Sequence, residues 1–183
     1  MSSIQVVTLL LSSSLISAGL TSSITWLVSK ANYKREYYKK LLDRRLDAYE
    51  EVETIINTLS TFIRTDNGVL CPFVCMGGES RRTDFLIQVL KTSSKSLWLS
   101  QEISGLITEL KVFMLNDIDN HISPTSDYDA QLEQLGIKHA ADFRRLRERL
   151  QVALYSDLKT LSDIPRFIKA IRESGDFPVN PLP

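Results

Sequence analysis

Residues Lys30–Ile63 read KANYKREYYKKLLDRRLDAYEEVETIINTLSTFI. Two patterns overlap here. The first part, Lys30 to Arg45, carries seven basic residues and three tyrosines in sixteen positions, against only Glu36 and Asp43. From Tyr38 onward, apolar residues recur at helical spacing: Tyr38, Leu42, Tyr49, Val52, Ile56, Leu59 and Ile63 stand three, four or seven apart, and Leu41, Ala48, Ile55 and Phe62 widen the stripe. An amphipathic helix needs that rhythm to lay one face on a core. No proline interrupts it, and no glycine occurs between Gly19 and Gly68. The stretch predicts one long helical stalk, a bundle helix by default and a homo-oligomeric coiled coil as the alternative.

Upstream the composition changes abruptly. No charged side chain precedes Lys30, and Ile4–Val28 reads IQVVTLLLSSSLISAGLTSSITWLV. Roughly 20 apolar residues in a helix span the hydrocarbon core of a bilayer, so this segment predicts a single transmembrane helix. A cleaved signal peptide would carry a basic leader and a shorter apolar core. Positive flanks stay cytoplasmic, which places the N-terminus outside and the rest of the chain in the cytoplasm. Trp26, Lys30, Tyr33, Lys34 and Arg35 are the expected membrane-interface residues, with the lipid bilayer as partner and the lysines suited to anionic lipid. A nucleic-acid patch of the same composition is the lesser reading beside an apolar span. The span is also rich in hydroxyls, and Ser14, Ala18 and Ser22 recur every four residues. Small residues on one face let two helices approach closely, so the span is expected to pack against copies of itself, with a polar path as the bolder alternative.

Downstream, TDNGVLCPFVCMGGESRR contains Gly68, Pro72, Gly77 and Gly78 and reads as a loop. Cys71 and Cys75 suggest a metal, with His121 and His139 as further ligands, but the spacing fits no common zinc signature and buried reduced thiols are expected instead. Helical patterns follow over Asp84–Leu115, in two pieces, and over Tyr128–Leu161, separated by a polar break at Pro124, and Gly136 is a candidate to kink or divide the latter. Pro165 suits the first turn of a last short helix and Gly175 its end. The expected organisation is therefore an anchor over residues 1–29, a stalk over 30–64, a loop over 65–83, a cytosolic helical domain over 84–175 and an irregular tail over 176–183. The fold class is all-α. Across the 183 residues, 22 basic side chains balance 22 acidic ones, so net charge points to no partner class.

No phosphate-binding glycine loop, zinc-protease motif or nucleophile elbow occurs, and neither a catalytic residue, a metal nor a cofactor is expected. One cluster stands out, KHAADFRRLRERL, with Lys138, Arg144, Arg145, Arg147 and Arg149 beside Asp142 and Glu148. Guanidinium forks suit phosphates, which makes these residues candidate ligands for a nucleotide signal. The plainer reading is a solvated face laced by local ion pairs, since Asp142 precedes Arg145 by three and Glu148 follows Arg144 by four.

YKREYYKKLLDRRLDAYEEV after an uncharged span, together with SLWLSQEI, resembles small bacterial inner-membrane effector proteins of anti-phage systems, of the retron-linked or nucleotide-activated CRISPR-linked type. The resemblance implies a helical sensor domain that receives a cytosolic protein or nucleotide signal and controls a membrane-disrupting, homo-oligomeric anchor. A passive tether for a cytosolic complex is the alternative.

Overall fold

The computed structural model describes residues 3–122, 127–167 and 169, with the side chains of residues 3–20 and of Ile24 outside the description. The described chain is predominantly helical. Helix α1 covers Ser3–Ser60, followed by strands β1 (Phe62–Arg64) and β2 (Leu70–Pro72) and by helices α2 (Gly78–Ser94), α3 (Gln101–Phe113), α4 (Tyr128–Lys138) and α5 (Ala140–Lys159). Two compact units divide within α1, one comprising Met1–Leu41 and the other Leu42–Pro183.

The second unit is a bundle in which α1 is one of the core helices. Ala48, Val52, Ile55 and Leu59 are wholly or almost wholly buried, as are Phe85 and Val89 of α2, Ile103, Ile107 and Leu110 of α3, Leu132 of α4, and Phe143 and Leu150 of α5. Apart from Ala48, each such side chain stabilises the fold by about 1.5–3 kcal/mol through burial. The apolar stripe expected of a stalk is thus covered by the chain's own helices. The coiled-coil alternative loses the surface it requires from Ala48 to Leu59. Helix α3 lies alongside α5, where Phe113 meets Phe143 edge-on at 5.1 Å between ring centroids. Glu51 ties α1 to α2, accepting from Thr92 Oγ1 at 3.3 Å and from Lys95 Nζ at 2.5 Å.

Several expectations need correction. The mostly helical structure agrees with the all-α expectation, to which it adds a short two-stranded antiparallel hairpin, in which Phe62 pairs with Pro72 and Arg64 with Leu70. Its turn closes through Thr65 N–H to Val69 O and Gly68 N–H to Thr65 O, both 2.8 Å, with Gly68 at a φ of 76°. Asn67–Gly68 is a strong turn signal, but three-residue strands carry too few side chains to show an alternating pattern. Residues 65–83, expected to be a loop, hold β2, a 3-10 turn at Phe73–Cys75 and the start of α2 at Gly78. Among the described residues no helix is long and apolar enough to cross a membrane. Most of the expected span, including Ser14 and Ala18, lies outside the described side chains. The remainder is interrupted by the hydroxyls of Thr21, Ser22, Ser23 and Thr25 before Lys30 supplies the first charge. Residues 164–167 coil helically with Pro165 in the first turn, and Gly175 lies outside the described residues.

Gly136 does not kink a helix. The chain breaks at His139, between α4 and α5, and Gly136 sits inside α4 for a packing reason. A Cβ there would stand 2.5 Å from Cys75 Cβ and 2.9 Å from Cys71 Sγ. The α4 backbone therefore rests directly on the two buried thiols. Gly136→Ala sets two effects against each other. Helix propensity favours alanine by about 1 kcal/mol, whereas overpacking costs about 1–3 kcal/mol. Because the clash falls on a Cβ and not on a flexible tip, the expected outcome in chemical denaturation is net destabilisation.

Candidate functional site

The residues expected at a membrane interface lie on α1, in the first unit. Trp26, Lys30, Tyr33, Lys34 and Arg35 are all exposed, as is Ser22. Residues four apart on a helix stack along one side, and here that spacing produces a ladder. Lys30 Nζ lies 5.0 Å from the Trp26 ring centre, and Lys34 Nζ lies 5.6 Å from that of Tyr38. Tyr37 joins it with its ring 6.1 Å from Tyr38. Each cation therefore has an aromatic face beside it, the mixture that suits a layer apolar on one side and phosphate-rich on the other. Arg35 is about 140° around the helix from Lys30 and off this ladder.

The basic run is divided by the fold. In the second unit Arg44 lies over the Trp98 ring at 5.4 Å. Arg45 is only 3% exposed. Its Nη1 donates to Leu161 O and its Nη2 to Tyr49 Oη, both at 3.0 Å, and the Tyr49 hydroxyl donates to Asp157 Oδ2 at 2.9 Å. The Phe167 ring covers the guanidinium at 3.8 Å. Burial pushes the Tyr49 hydroxyl up to about 12, against the opposing pull of Arg45. Arg45 continues the helical phase of Leu42 and Tyr49, so a charge falling on an apolar stripe was the signal that marked this group in the sequence.

A second polar group ties the bundle together where the sequence gives no spacing signal. Arg82 Nη2 meets Asp119 Oδ2 at 2.7 Å, and Nη1 donates to Tyr128 Oη at 3.1 Å. Burial raises the Asp119 carboxyl, with Arg82 opposing the rise. Asp119 follows a π-helical turn at Met114–Ile118. Nearby, Arg81 stacks on Phe73 at 4.0 Å and donates to Met76 O, which secures the entry to α2.

The candidate ligand cluster does not converge. Lys138 is exposed at the end of α4, whereas the four arginines belong to α5. Arg144 crosses to the Phe62 ring at 4.8 Å. Arg145 pairs with Asp142 at 2.6 Å, Arg147 with Glu148 at 3.1 Å, and Arg149 with Glu109 of α3 at 2.6 Å. Four guanidinium groups thus point to four separate partners around one helix. His139 Nδ1 lies 3.0 Å from Asp142 Oδ2 and shares that carboxylate with Arg145.

Among the described residues no group of three or more His, Cys, Asp and Glu side chains is placed to hold a metal ion. The Cys71 and Cys75 thiols are pushed up by burial, to about 11 and about 12. No family model matches the chain, and comparison with curated proteins and with solved structures finds no match.

Two measurements check these assignments. Thiolate is the reactive form of cysteine, and both thiols are protonated at neutral pH. Alkylation of the folded chain should therefore be negligible at pH 8, rise only as pH climbs toward 11, and become immediate in denaturant. Because the folded values exceed the unfolded ones, stability from the thiols is whole below about pH 8.5 and falls as pH rises through the folded values. Separately, Asp157→Ala removes the carboxylate that faces Arg45 through Tyr49. It should lower unfolding free energy by about 1.5–3 kcal/mol, whereas Arg145→Ala on the exposed face should stay within about 0.5 kcal/mol.

Proposed function

We propose that the chain is a non-enzymatic, membrane-anchored effector of bacterial antiviral defence. Helix α1 anchors it in the inner membrane with its N-terminus outside, and the domain that begins at Leu42 receives a cytosolic partner or signal. The observation that carries this reading is the double use of one helix. Residues Ser3–Ser60 form a single α-helix whose uncharged early part is long enough to span a bilayer, whose middle part bears the exposed cation–aromatic ladder, and whose last part is buried in the bundle core. Self-association of the anchor rests on the spacing of Ser14, Ala18 and Ser22. The defence role rests on the resemblance in the basic stretch. The passive tether differs in one respect: it needs the span only as an anchor.

The test is made with the full chain in a bacterial host. A reporter active only in the cytoplasm, fused after Pro183, should be active, and one active only outside should be silent. Induced expression should slow growth and depolarise the membrane. Replacing residues 4–28 with leucines should preserve insertion and abolish both effects. An outward-facing reporter overturns the anchor and its topology. A polyleucine variant as inhibitory as the parent removes the effector and leaves the tether.

A further inference from the structure

The exposed faces of α3 and α5 border a groove of about 540 Å³. Two of its residues are poor choices for solvated helix positions. Gly105 lies within α3, where glycine is the worst-tolerated residue after proline. Unlike Gly136, it answers to no packing need, because a Cβ at Gly105 meets no heavy atom within 4 Å. Nor does it take a positive φ, which is confined to Gly68, Gly77 and Gly78 among the described residues. Val152 also lines the groove and is 67% exposed, although a β-branched side chain is disfavoured in a helix and gains little there without a partner. The Arg149–Glu109 ion pair, 2.6 Å long, joins the two helices beside them. Neither Gly105 nor Val152 fills a space in the described core.

The rim decides what fits. Glu102, Glu109 and Glu148 line the groove with Arg149; Arg149 pairs with Glu109 and Arg147 with Glu148, which leaves the charge of Glu102 in excess. Glu102, in the first turn of α3, has no cation within ion-pair distance among the described residues. Carboxylates in excess repel phosphate, which disfavours nucleotides, nucleic acid and anionic lipid here. A second copy presenting the same face would set like charges against each other.

We propose that this groove is the docking site for a cationic amphipathic helix of a protein partner. One apolar side chain of that helix enters the space left by Gly105 and packs on Val152, while a lysine or arginine beside it meets Glu102. Helix-in-groove recognition uses this combination of an apolar anchor with charges to either side. The site deepens the effector reading by giving the incoming signal a place and a chemistry, and rests on that reading only for the consequence of binding.

The test uses the full chain in nanodiscs of zwitterionic phosphatidylcholine, which offers the probe no anionic surface. The probe is a labelled helical peptide of about 18 residues, long enough to hold a helix, with leucines on one face and lysines beside them. A counterpart carrying glutamates in place of the lysines is the control. The lysine helix should bind and the glutamate helix should not, with amide-exchange protection over residues 101–109 and 148–152. Gly105→Leu fills open space, so the melting temperature should hold or rise while affinity falls about tenfold or more. Val152→Lys should weaken binding similarly and guards against a misfolded leucine variant. Equal affinity in both variants, protection elsewhere, or no binding of the lysine helix overturns the proposal. Alkaline extraction of the same chain from membranes reads the anchor separately. A chain that is extracted yet still binds the lysine helix keeps the docking site and loses the anchor.

Discussion

The Arg45 guanidinium lies inside the helical domain, where a charge is costly unless its donors find acceptors; both Nη groups find them, while Nε has none among the described residues. Those acceptors come from places far apart in the chain: Tyr49 one turn along α1, Asp157 near the end of α5 through the Tyr49 hydroxyl, and the Leu161 carbonyl just beyond it. Once Arg45 is fixed, the rotation of α1 in the bundle is fixed with it. Ala48, Val52, Ile55 and Leu59 then turn toward the other helices, and Glu51 meets Thr92 and Lys95. The apolar stripe sets how much surface is buried. The buried cation sets which registers of α1 against α5 are tolerated.

The same residue shows how a run of charge misleads when read only by composition. From Lys30 to Arg45 the sequence is strongly basic, yet its cations have different surroundings. Lys30 and Lys34 stand exposed beside aromatic rings, Arg44 lies on Trp98, and Arg45 is in the core. Helical phase separates them, since Arg45 falls in line with Leu42 and Tyr49. The arginines of α5 repeat the lesson, because each has a different partner.

What was legible in the sequence is what repeats. The α1 stripe and the apolar faces of α3 and α5 recur every three or four residues, and those helices lie where that rhythm places them. Features fixed by a single contact left no such trace. The hairpin depends on one Asn–Gly turn between strands too short to alternate. Helix α2 begins before its apolar pattern does, because Arg81 and Arg82 find partners outside the helix. Gly136 looked like a hinge, since a glycine pressed against two thiols and a glycine at a kink are the same letter. Gly105 attracted no attention for the opposite reason: its meaning lies in the empty space around it.

The long reach between Arg45 and its acceptors has a consequence during synthesis. Asp157 follows Tyr49 by 108 positions, and Leu161 follows Arg45 by 116. At bacterial and eukaryotic elongation rates of about 5–20 residues per second, roughly 5–25 seconds separate the emergence of α1 from that of its covering helix. Throughout that interval the Tyr49 hydroxyl has no Asp157 to donate to, and the Arg45 guanidinium waits for the Leu161 carbonyl. The polar anchor of α1 is thus completed only by the last quarter of the chain, and a nascent chain arrested before α5 holds an arginine whose distant acceptors do not yet exist.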